Sequence, residues 1–193
     1  MLKSPFNVSR SVVPTSADVV FVADYFIEDY VGGAELTTQA LIDSASDISI
    51  FKLKSADVTT AMLKSGADKH WIFSNFSGMN LSLLPTIIGN MSYSIIEYDY
   101  KFCKYRSIEK HKNETGSECD CHTDIHGKMI SAFFHGAKTI WFMSEEQEKR
   151  YFDRFPFLRD NDTCVLSSVF DDKFFATVNE FNSLEKKPDR SKW

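Results

Sequence analysis

The feature that most constrains this chain is its first apolar run, Asp18-Val-Val-Phe-Val-Ala-Asp24, together with the turn and helix that come after it. Five unbroken apolar residues between two aspartates predict a strand buried on both faces, the pattern of a parallel sheet. A loop from Tyr25 to Val31 leads to Gly32-Gly33, and a helical pattern runs from Ala34 to about Ala45. Within it Leu36, Ala40 and Leu41 share one face, while Glu35, Gln39 and Asp43 point away. The chain therefore opens strand, Gly-rich turn, helix.

The alternation continues. Ile48–Leu53, Lys69–Asn75, Met91–Tyr98, Thr139–Met143 and Thr163–Ser167 are predicted strands. Asp57–Ser65, Leu81–Ile88, Gly127–His135 and Ser144–Phe152 are predicted helices, the last opened by a Ser144/Gln147 pair of the capping-box type. Alternating strands and helices predict an α/β, Rossmann-like fold: a mostly parallel sheet with helices on both faces. The expected organisation is an N-terminal extension (1–16), a domain over 17–175, and a linker or tail (176–193). A ligand crevice is expected at the carboxyl ends of the strands.

Composition narrows the function classes. The 17 Phe among 193 residues demand a real core, and a net charge of −5 argues against nucleic acid as a partner. No stretch approaches the ~20 apolar residues that span a bilayer. Residues 1–16 hold no continuous apolar segment of the signal-peptide kind, so a cytoplasmic location is expected. Disulfides are then not expected, and Cys164, inside an apolar run, is expected to be a buried small residue.

Between residues 101 and 126 the pattern breaks into a polar insertion, of a length that is often functional. It gathers Cys103, His111, Cys119, Cys121, His122 and His126. Thiolates and imidazoles suit zinc in a tetrahedron. Cys103, Cys119, Cys121 and His122 are the candidate ligands, although Cys-x-Cys crowds two sulfurs and needs an irregular backbone. A metal-free loop and a redox pair stay open as alternatives. The same stretch holds the only dense basic cluster: Lys101, Lys104, Arg106, Lys110 and Lys112. At the end of the fourth strand, Tyr98 and Asp99 are candidates to stack on and hydrogen-bond a hydroxyl-bearing ligand, and Arg106 can pair a phosphate.

The Gly32-Gly33-Ala34-Glu35 stretch, opening a helix after the first strand, resembles the large retaining class of GT-B glycosyltransferases. Two further segments are similar to that family. One is Ala137-Lys-Thr-Ile-Trp-Phe-Met-Ser144, a strand followed by a serine and a helix. The other is Thr163-Cys-Val-Leu-Ser-Ser-Val-Phe-Asp171-Asp-Lys-Phe174-Phe, in which Ser167-Ser168 replaces the family's Asn-Gly. The resemblance covers most of residues 17–175. It implies one half of a GT-B architecture, the acceptor-side domain, working with a nucleotide-sugar donor and a small-molecule or glycan acceptor. On it, Gly32, Gly33 and Glu35 form the donor-phosphate loop, and Tyr98, Asp99 and Arg106 bind the acceptor. It also implies a C-terminal, donor-binding domain that has no room after Phe175, so the chain alone is expected to be inactive. A metal-stabilised, non-catalytic binding module is the other reading of the sequence.

Overall fold

A computed structural model describes residues 12–170 and 172–183. Its elements in chain order are β1 (Val19–Ala23), α1 (Gly33–Ser44), β2 (Ile50–Lys54), α2 (Thr60–Ser65), β3 (His70–Phe73), α3 (Leu84–Asn90), β4 (Ser92–Glu97), α4 (Ile108–Thr115), α5 (Ile125–His135), β5 (Thr139–Phe142), α6 (Glu145–Arg154), β6 (Asp162–Val165) and α7 (Asp172–Ser183). Every strand pair is parallel, and the sheet runs β2-β1-β3-β4-β5-β6. The fold is α/β and Rossmann-like, as the alternation predicted.

Period-two alternation divides the inner strands between two cores. Val20, Val22, Trp71, Phe73, Ile95, Ile140 and Phe142 face the larger core, which is closed by residues of α2, α3, α5 and α6. Phe21, Ala23, Ile72, Ile96 and Trp141 face a smaller core beneath Leu41 and Ile42 of α1. Helices thus cover both faces. In the larger core, aromatic rings pack edge-on and stacked around Phe133 and Tyr151, with centroids 4.8–5.4 Å apart in pairs such as Tyr93–Phe133 and Phe102–Phe155. Such contacts add to the burial that phenylalanine brings.

Four readings of the sequence change. The insertion is not all loop: α4 forms inside it, with the Ser107 hydroxyl accepting the Lys110 N–H and Gly116 in the left-handed conformation (φ 72°) ending it. Cys164 is exposed rather than buried, because β6 is the edge strand of the sheet. The chain from Asp172 to Ser183, partly within the expected linker, is helical; residues 184–193 lie outside the described part. Of the expected N-terminal extension, 1–11 lie outside it too, while Val13 is buried and its N–H donates to Ser65 Oγ at 2.9 Å. Among the described residues no helix is long and apolar enough to cross a membrane.

The order of the strands fixes where ligands can go. From β1 the chain moves to β2 on one side, then crosses back to β3 on the other. The carboxyl ends of β1 and β3 therefore flank a topological switch point, where crevices form in open parallel sheets.

Candidate functional site

Asp24, the first residue past β1, ties this switch point together. Its carboxylate accepts hydrogen bonds from Ser77 N (3.1 Å), Ser77 Oγ (2.5 Å), Gly78 N (3.1 Å) and the Ser55 hydroxyl. One side chain thus joins the chain leaving β1, β2 and β3. Burial alone would raise its pKa, but the bonds from Ser55, Ser77 and Gly78 outweigh it and hold the carboxyl below its usual range. Gly78 is needed here, since a Cβ would meet Ser55 Oγ at 2.8 Å.

Arg106 reaches the same place from the insertion. Its Nε donates to Asp99 Oδ2 at 2.6 Å and its Nη2 to Asn75 Oδ1 at 2.9 Å, while Nη1 stands 3.9 Å from Asp24 Oδ2. One guanidinium therefore spans the ends of β1, β3 and β4. Its own backbone is left-handed (φ 57°), a conformation that costs a non-glycine residue of order 1 kcal/mol or more. The loop supporting it is compact. Cys103 N–H donates to Tyr100 O, Arg106 N–H to Cys103 O, and Tyr100 N–H to Arg106 O, at 2.8, 2.8 and 3.2 Å.

Beneath this loop lies an ion pair that sequence reasoning did not assemble. Glu97, fully buried, accepts both the N–H and the ammonium of Lys101, each at 3.0 Å. Burial pushes the Glu97 carboxyl up to about 7 against the pull of Lys101. The two charges, four residues apart at a strand end, were the available signal; that both would be buried was not.

The metal candidates converge, with one exchange. Cys103, His111, Cys119 and Cys121 are all buried, and their ligand atoms lie within 4.8 Å of one another. His111 Nδ1 is 3.3 Å from Cys121 Sγ and 3.7 Å from Cys103 Sγ. These four residues form a buried Cys3His cluster that could hold a metal ion. His111 takes the place expected for His122, because α4 turns its ring towards the sulfurs. His122 instead sets its ring edge-on to Phe155 at 6.2 Å. The irregular backbone that Cys-x-Cys requires is present: Asp120 lies near φ −109°, ψ 7°, and Cys121–Thr123 form a 3-10 turn. Gly127 permits it, since a Cβ there would fall 2.1 Å from Cys121 O. Asp120 Oδ1 lies 4.0 Å from His111 Nε2, beyond hydrogen-bond distance. Burial, then the neighbouring Cys103, push the Cys119 thiol up to about 12.

The cluster borders the crevice. Cys103, Arg106 and His126 line a cavity of about 220 Å³ at the carboxyl end of the sheet. His126 Nε2 is 3.0 Å from the Lys101 carbonyl. A carbonyl only accepts, so this nitrogen carries the hydrogen.

The remaining sequence candidates are divided. Gly32 caps α1 and Gly33 begins it. A Cβ on Gly33 would meet nothing within 4 Å, so its backbone faces open space; at Gly32 it would fall 2.7 Å from Glu35 Oε2. Glu35 thus folds back over the helix start, where the dipole favours an anion. Asp99 and Arg106 meet through the Nε–Oδ2 bond. Tyr98 does not join them: its hydroxyl bonds Thr38 of α1 at 2.8 Å and its ring packs on the smaller core. Burial pushes its pKa up to about 12. The basic cluster also disperses. Lys101 pairs with Glu97, Arg106 with Asp99 and Lys112 with Glu118, so three of its five charges are matched. Comparison with protein-family models, with curated proteins and with solved structures gives no match to this chain.

Proposed function

We propose that this chain is the acceptor-side Rossmann-like half of a glycosyltransferase that moves a sugar from a nucleotide-sugar donor to a hydroxyl acceptor. The observation that carries the reading is the opening of α1. Gly32 and Gly33 come after the strand beside the switch point, and a Cβ on Gly33 would meet nothing within 4 Å, while the Glu35 carboxylate holds the helix start that a phosphate would take over. Gly33 would steady the donor's phosphate after the Glu35 carboxylate had swung away from the helix start. Asp99 and Arg106 would hold the acceptor from the neighbouring strand ends. Tyr98, committed to Thr38, would support α1 rather than touch the ligand. Transfer would require a donor-binding partner domain closing over this crevice.

The Cys3His cluster supports a structural zinc ion. Bonds of about 2.3 Å to sulfur and 2.0–2.1 Å to nitrogen put tetrahedral ligands about 3.5–3.8 Å apart. The 3.3 and 3.7 Å sulfur–nitrogen separations around His111 lie on either side of the lower of these values. Four buried protein ligands leave no open position, the mark of a structural rather than a catalytic ion. On this reading zinc fixes Cys103, and with it the loop that carries Arg106. The same cluster favours the second reading, a metal-stabilised binding module without catalysis.

The two readings separate on nucleotide-sugar turnover. The complete gene product containing this chain is incubated with a panel of nucleotide-sugars, and nucleotide release is followed. One donor is expected to be consumed, and Gly33→Val is expected to abolish consumption while leaving the fold intact, because a Cβ at this position meets nothing within 4 Å. Turnover of no donor, or unchanged turnover in Gly33→Val, would overturn the transferase reading in favour of the binding module.

A further inference from the structure

The cavity beside the metal cluster has an uneven lining. Phe76, Leu81 and Ile130 make its apolar wall, while Lys104, Arg106 and His126 supply its polar side. Of the basic residues in the insertion that line it, Lys101 is committed to Glu97 and Arg106 is half committed, to Asp99 and Asn75. Arg106 Nη1, 3.9 Å from Asp24, is beyond hydrogen-bond distance of that carboxylate. Lys104 pairs with no carboxylate among the described residues; its ammonium lies 5.1 Å from the centre of the Tyr105 ring.

We propose that this cavity is a subsite for a small molecule carrying one oxyanion, a phosphate or a carboxylate. The oxyanion lies against Lys104 and Arg106 Nη1, and the body of the molecule lies on Phe76, Leu81 and Ile130. At about 220 Å³ the cavity is smaller than the ~300–1,000 Å³ of drug-sized pockets and suits a molecule of monosaccharide size. The apolar wall strengthens a charge-assisted bond by displacing water from it. The proposal rests on the acceptor-side reading for what the ligand is used for, and names that acceptor's class; the binding itself does not depend on transfer.

One competing demand on Lys104 comes from the metal. Three thiolates and a neutral imidazole around a divalent ion carry one net negative charge, and Cys103 lines this cavity. Lys104 therefore answers either to a ligand or to the metal centre, and the two are separable.

The test is calorimetric titration of metal-replete protein with glucose 6-phosphate, glucuronate and glucose, on the native chain and on Lys104→Gln, with metal content measured for both. The expected result is binding of one charged probe at least about tenfold tighter than glucose, weakened by salt, and weakened about tenfold or more in Lys104→Gln at unchanged metal content. The tighter of the two charged probes identifies the oxyanion. Equal binding of glucose overturns the proposal, as does no binding of either charged probe. Loss of metal in Lys104→Gln with binding unchanged also overturns it, and assigns the lysine to the metal centre. Nucleotide-sugar turnover is read separately: turnover without oxyanion binding removes the subsite alone, and oxyanion binding without turnover supports the subsite while removing the transferase reading.

Discussion

Two histidines of the insertion look interchangeable in the sequence and are not. His111 brings Nδ1 to within 3.3 Å of Cys121 Sγ, and Asp120 stands behind its other nitrogen. His122 adjoins Cys121 in the chain, yet its ring turns to Phe155 and its Nδ1 is buried without a partner. His111→Ala is therefore expected to lose its metal quickly to a chelator, as Cys121→Ser should, whereas His122→Ala should retain it. The opposite order would reassign the fourth ligand. Glu97 gives a second expectation at this scale. Its carboxyl is raised from 4.5 to about 7 by burial, so the folded chain holds a proton that the unfolded chain releases. The stabilisation this brings is complete below pH 4.5 and is lost as pH rises through about 7. Denaturant melts of the native chain and Glu97→Gln across this window should show the native chain losing stability relative to the variant as pH rises. A constant difference would remove the proton from Glu97. Lys101→Met should cost most above pH 7, where Glu97 is left charged and unpaired; breaking a buried pair of this kind typically costs ~3–5 kcal/mol.

At the scale of elements, α5 approaches the Cys119–Cys121 loop closely enough to exclude any side chain at Gly127. Gly127 sits in the first turn of α5 against the Cys121 carbonyl, and no side chain fits there. Gly127→Ala is expected to push Cys121 away and lower metal affinity at least about tenfold, measured by competition with a zinc indicator. An unchanged affinity would mean that the turn yields freely. Helix α6 offers a milder case. Ser144 Oγ accepts the Gln147 N–H at 3.1 Å, and Gln147 reaches back to the Met143 N–H at 2.7 Å and across to the Asp99 carbonyl at 2.8 Å. The Ser144/Gln147 pair was legible in the sequence, but not that Gln147 would brace Asp99. The first strand was legible for a physical reason: a run buried on both faces has to be apolar throughout. Helix α4 was not, because Ile108–Thr115 is almost wholly polar and buries only Ile108 and His111. Its two signals, Ser107 before it and Gly116 after it, mark helix ends without saying that a helix lies between. The metal set was legible as a density of cysteine and histidine. Which histidine joined it depended on that hidden helix.

Across the whole molecule, the groups that can do chemistry gather at one end of the sheet. Asp24, Asn75, Glu97 and Asp99 stand at the ends of three neighbouring strands, and the insertion returns over them to deliver Arg106. No single segment encodes that end. The strand order brings the carboxylates together, and the insertion that completes the crevice carries a buried Cys3His cluster that could hold a metal ion. The glycosyltransferase reading draws on the Gly32–Gly33 opening, which the fold sets beside the switch point, and on Asp99 and Arg106, which it brings within 2.6 Å. Tyr98 departs from its expected role because alternation along β4 says which face a residue takes, not that α1 would cover that face. If a metal ion held by the Cys3His cluster anchors the insertion that builds this crevice, the protein carries that ion. Protein purified without chelators or added metal, and analysed by mass spectrometry for transition metals, should hold about one equivalent of zinc per chain. Less than about a tenth of an equivalent of any transition metal would contradict the account, because structural sites of this kind retain their ion through purification.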